Sequence, residues 1–101
     1  MALIIVRQKL KEGKILIRDH AMMRFDQRGI TIEEVENVIM TGELIEDYPD
    51  DKPFPSCLIS GYIRKDIILY VVLALEEKIH IITAHWLDPD RWLDHKTRRD
   101  K

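Results

Sequence analysis

The chain has a single cysteine, Cys57, which excludes an internal disulfide and suits a reducing cytoplasm. Cys57 lies in an apolar stretch, where a buried structural thiol is expected rather than a nucleophile. Only four glycines are present, all reading as helix stops or a strand break, so no glycine-rich phosphate loop exists. No CxxC, HExxH or carboxylate–histidine cluster occurs, so neither a metal nor another cofactor is expected. No apolar run approaches membrane-spanning length, and residues 1–6 are too short for a signal peptide; a soluble cytoplasmic protein without a membrane partner is expected. An excess of positive charge is missing too. The net charge is −2, so the molecule as a whole is not a basic nucleic-acid binder.

Charge is nonetheless segregated along the chain. Residues 1–28 carry seven basic and three acidic side chains, and residues 29–51 carry eight acidic and none basic. Residues 91–101 return to five basic against two acidic, so a local basic surface forms if the two ends converge. A length of 101 residues fits one domain, with a core over about 15–92 and a basic tail at 93–101.

Periodicity orders the elements. Leu3, Ile4, Val6 and Leu10 follow a helical pattern that Gly13 stops, and residues 15–18 read as an extended link. Asp19 is placed to cap a second helix that ends at Gly29 and offers Ala21, Met22 and Phe25 to a core. Thr31 and Glu34 form a capping box for a third helix, with Ile32, Val35 and Ile39 as its stripe and Gly42 at its end. Residues 43–48, 56–63, 66–75 and 79–87 read as strands, the third apolar on both faces and hence central. The tail from Asp88 suggests a final helical turn anchored by Trp92. Helices before strands, with short turns between the strands, predict an α+β domain: two to three N-terminal helices on one face of a four-stranded antiparallel sheet.

The candidate site begins with spacing. His20, Arg24 and Arg28 are four residues apart and project from one helix face. Such a group needs an opposing anion, either a phosphate or carboxylates from elsewhere in the fold. With a two-residue turn before the last strand, Tyr70 lies opposite Thr83, with His85 two positions along the same face. His80 and His85, five apart in a strand, then point to opposite faces, which is wrong for a shared metal. In the functional reading the two faces meet across a cleft; in the structural one, Arg24 and Arg28 pair with the acidic segment and the hydroxyls bond locally. Metal-free RNA cleavage needs a base, a phosphate clamp and an acid, roles that histidine and arginine fill. Trp86 and Trp92 read as core or tail-packing residues.

The ordered blocks HAMMRFDQRGIT, VIMTGELIEDYPDDKPFPSCLISGYI, ILYVVLAL and IHIITAHWLDPDRW resemble the bacterial domain-of-unknown-function family 4258 over about residues 15–92. That family looks like a relative of the RelE and BrnT toxins, in the Barnase–EndoU–colicin E5–RelE fold group. The resemblance implies a toxin-like, metal-independent endoribonuclease acting on RNA (mRNA) and held by an antitoxin protein. His20, Arg24 and Arg28 match its helix motif, Asp47, Tyr48 and Pro49 match the start of its loop, and Thr83 matches its final-strand threonine. Two positions depart. Tyr70 stands where the family usually has histidine, and Ala84 and His85 stand where Thr-Tyr or Thr-Val is commoner. Tyr70 or His85 then substitutes for the strand histidine, or the chain is a binding-only module of the same fold. A DNA-binding regulator is a weaker third option, because no recognition-helix pattern is present.

Overall fold

The computed structural model describes residues 1–65, 67–87, 92–94 and 97–98, the last two stretches by backbone alone. Three helices, α1 (Leu3–Lys11), α2 (Asp19–Arg28) and α3 (Ile32–Thr41), are followed by strands β2 (Glu43–Tyr48), β3 (Ser56–Arg64), β4 (Ile67–Leu75) and β5 (Ile79–Trp86). A short strand, β1 (Ile15–Ile17), precedes α2, and β6 (Trp92–Asp94) pairs with β7 (Thr97–Arg98) in a separate small sheet. The α+β class holds.

The helix boundaries follow from local chemistry. Thr31 and Glu34 make the reciprocal capping box at the start of α3. Gly29 ends α2 in the left-handed conformation, φ 67°, which glycine adopts without a Cβ penalty. Asp19 is not the cap of α2. It is the first helical residue, and Arg18 precedes it in extended conformation with no side-chain cap. α1 is tied to the end of α3 by Arg7, whose Nε donates to the Ile39 carbonyl at 2.8 Å and Nη2 to the Gly42 carbonyl at 2.9 Å. These bonds serve carbonyls that a helix C-terminus leaves unpaired.

The main sheet has five strands in the order β1-β5-β4-β3-β2, rather than four. β1, expected as a link, pairs parallel with β5 through Ile15↔Ile79, Leu16↔His80 and Ile17↔Ile81, so the sheet is mixed and not wholly antiparallel. The other pairings are antiparallel, and β4 is the central strand as its apolar faces predict. Side chains alternate across the sheet. Cys57, Ile59, Leu69, Val71, Leu73, Ile79, Ile81 and Ala84 pack with Val6, Ala21, Phe25, Val35, Val38 and Ile39 of the helices. Leu58, Ile68 and Tyr70 form a smaller cluster on the opposite face with Ile45, Val72 and Leu87. Two expected core residues lie further out: Met22 is 38% and Ile32 37% exposed, because Ala21, Phe25 and Val38 hold the inner faces of their helices.

The register of β5 differs from expectation in an instructive way. Leu75 pairs with Ile79, leaving a three-residue turn, Glu76–Lys78, instead of two. That extra residue alone would turn Thr83 and His85 toward the core, because one step of register exchanges the faces. A β-bulge in β5, where Ile82 is the extra residue facing the Val72–Leu73 step of β4, adds a second step and restores the parity. Tyr70 therefore pairs with His85, and Val72 with Thr83. At Trp92 the backbone is extended, not helical, and the remainder of the expected tail turn lies outside the described residues. Among the described residues, no helix is long and apolar enough to cross a membrane.

Candidate functional site

β1 pairs with β5 only as far as Ile81, and α2 leaves the end of β1 to cross over the last half of β5. This path brings the exposed face of α2 beside residues 82–86. His20, Arg24, Arg28, Ile82, Thr83, His85 and Trp86 line an open groove of about 740 Å³. Five of the six residues singled out from the sequence are thus brought together. The sixth, Tyr70, is fully buried, and its ring stacks on that of His85 with centroids 5.4 Å apart and planes 23° apart. It lies beneath the groove and not in its wall.

The three helix residues, equivalent by spacing, are used differently. Arg28 Nη1 donates to the Ala84 carbonyl at 2.7 Å and to Thr83 Oγ1 at 3.2 Å. The Ala84 carbonyl belongs to the edge of β5 that β1 does not reach, so Arg28 satisfies a backbone acceptor there. Trp86 Nε1 completes the latch by donating to the Arg28 carbonyl at 2.8 Å. Trp86 also packs against the main core, as its structural reading predicts. Arg24 is exposed, and its Nη2 lies 3.5 Å from His20 Nε2. A guanidinium only donates, so this contact fits a His20 tautomer with the lone pair on Nε2. Among the described residues, neither Arg24 nor Arg28 makes an ion pair with a carboxylate. The acidic segment therefore does not consume these cations.

Two further observations correct the sequence reading. The bulge puts His80 on the same face as His85, since His80 pairs with Ala74 and His85 with Tyr70. Their partners are four residues apart on β4, so they remain about 13 Å apart at roughly 3.3 Å per strand residue, and the described residues contain no group of three His, Cys, Asp or Glu that could hold a metal. Cys57 is wholly buried, and loss of solvation, reinforced by Asp47, pushes its thiol up to about 11. It is a core residue held protonated at neutral pH.

Sequence reasoning missed Ile82 and Trp86 as wall residues of the groove. Ile82 is the extra residue of the β5 bulge, which no strand pattern announces, whereas the half-polar strand end around Trp86 gave some signal. Residues 17–86 match the family model described as "Domain of unknown function (DUF4258)", and the chain belongs to that family. No curated protein and no solved structure matches the chain.

Proposed function

We propose that this member of the DUF4258 family is a toxin-like, metal-independent endoribonuclease, related to the RelE and BrnT toxins and held in check by an antitoxin protein. One observation carries the reading. Two imidazoles and two guanidiniums, from His20, His85, Arg24 and Arg28, converge on one open groove, and among the described residues neither guanidinium makes an ion pair with a carboxylate. A strand of RNA laid along it places a phosphate against Arg24, whose fork matches two non-bridging oxygens. His20, with a lone pair on Nε2, takes the proton of the 2′-hydroxyl. That oxygen attacks the adjacent phosphorus, and the 5′-oxygen leaves with a proton from protonated His85. The products are a 2′,3′-cyclic phosphate and a free 5′-hydroxyl. Arg28 adds charge beside the phosphorane while holding Thr83, which positions the substrate. Tyr70 acts through the stack that fixes the His85 ring.

The test is incubation of the purified protein with RNA in EDTA. Cleavage to cyclic-phosphate ends is expected, with Arg24→Ala slowing it by about a hundredfold, the order seen when one oxyanion donor is removed. Equal, background-level cleavage by wild type and Arg24→Ala, with no growth arrest on expression, would defeat the proposal. A second reading, an RNA- or protein-binding module without turnover, is favoured by Tyr70, which occupies the strand position under His85 without reaching the groove. Tight RNA binding with no products in the same assay would establish it.

A further inference from the structure

A second hollow of about 340 Å³ adjoins the groove, and His20 and Ile82 line both. Its walls are built from Leu16 of β1, Arg18 and Ala21 at the start of α2, Pro53 and Phe54 of the loop between β2 and β3, and His80 of β5. Phe54 and His80 are partly buried, their ring centroids 5.9 Å apart and their planes inclined by 33°, which leaves the rings splayed rather than closed on each other. His80 Nε2 lies 3.3 Å from Glu76 Oε1, which anchors the imidazole from the side of the strand turn. Arg18 stands at the rim, exposed and without an ion pair among the described residues. The volume falls at the lower end of the range for small-molecule sites, about 300–1,000 Å³. The lining is apolar and aromatic with a cation at its edge.

Resting on the RNA reading of the neighbouring groove, we propose that this hollow receives one unstacked nucleobase of single-stranded RNA, flanking the phosphate held at Arg24. The chemistry is that of a stacking platform beside a cationic track. Every base presents a π-face to an aromatic ring, and the adjoining phosphate meets an arginine. Phe54 supplies the platform, the His80 ring borders it, and Arg18 meets the next phosphate. The shared wall at His20 makes the two hollows successive positions along one strand, base then phosphate. A duplex, with its bases paired and stacked, presents no such base.

The test uses a fluorescein-labelled hexanucleotide RNA with 2′-O-methyl sugars, which cannot be cut by 2′-hydroxyl attack, and abasic versions of it at each position. Binding is read by fluorescence anisotropy. One abasic position is expected to weaken binding to wild type roughly 5- to 150-fold, the range of base–aromatic stacking. Phe54→Leu, which keeps an apolar side chain, should weaken the intact strand similarly and no longer respond to that abasic position. Arg24→Ala should weaken binding yet still respond to it, because it removes the phosphate contact and not the base contact. Wild-type affinity in both Phe54→Leu and His80→Leu, with Arg24→Ala still weakened, overturns the base subsite and leaves the phosphate groove standing. Failure of wild type to bind the strand overturns both.

Discussion

Arg24 and Arg28 are one helical turn apart, yet their surroundings assign them different work. Arg28 donates to a backbone carbonyl and a hydroxyl of β5, and its own carbonyl accepts from Trp86. Removing a charged donor from such partners costs about 1–3 kcal/mol, whereas truncating an exposed side chain usually changes stability by less than about 0.5 kcal/mol. Arg28→Ala is therefore expected to unfold at a clearly lower urea concentration and Arg24→Ala at the wild-type one; coincident curves for the two variants would remove the latch. Cys57 supplies a second residue-level outcome, with its thiol raised to about 11 from an ordinary value of 9.0. Below the unfolded value both states hold the proton, and the thiol's contribution is fully present. As pH rises further, the unfolded chain loses the proton first and stability falls until the folded thiol also ionises. The loss between about pH 9 and 11 is on the order of 3 kcal/mol. Urea melts across that window should decline more steeply for wild type than for Cys57→Ala, and parallel declines would contradict the assignment.

Elements were legible in the sequence where the signal is local. The capping box at Thr31, the glycine stop at Gly29 and the helix spacing of His20, Arg24 and Arg28 each need only a few neighbouring residues, and the structure contains all three features. β1 was not legible, because three apolar residues carry no periodicity and their partner lies more than sixty residues away. The β5 register was wrong by two, since a longer turn and a bulge each shifted it by one; the face of Thr83 and His85 survived because two shifts cancel in parity. The same bulge reversed the reading of His80 relative to His85. Phe54 escaped notice because a proline-rich loop reveals its own turns and not the strand against which it folds. Packing between elements can also be tested. A Cβ on Gly42 would lie 2.4 Å from the Ser60 carbonyl oxygen and 2.6 Å from that of Val38, both backbone atoms that cannot swing away. Gly42→Ala should cost at least about 1–3 kcal/mol of overpacking, more than the ~1 kcal/mol expected for Thr31→Ala at the cap. Thermal melts rank the two directly, and the reverse order would mean that α3 and β3 approach less closely than described.

For the whole molecule, the net charge of −2 opposes RNA while the groove favours it, and strand order decides which matters. β2, which carries Glu43, Glu46 and Asp47, is one edge of the sheet; β1, at the other edge, lies beside β5 and the groove. Three strand spacings separate β2 from β5, about 14 Å at roughly 4.8 Å each. Charges at that separation are largely screened at physiological salt, where the Debye length is about 8 Å. RNA affinity should then answer to the local cations and not to the total. Arg24→Ala changes the net charge by only −1 but removes a direct phosphate contact, so binding should weaken and the slope of log K against log salt should fall by about 0.7. Glu43→Lys changes the net charge by +2 at the far edge, and at 0.15 M salt it should leave affinity nearly unchanged. Lowering the salt to 0.01 M lengthens screening to about 30 Å, and only there should Glu43→Lys tighten binding. A Glu43→Lys gain at 0.15 M larger than the Arg24→Ala loss would show that RNA responds to the overall field, and would move the contact surface away from α2 and β5.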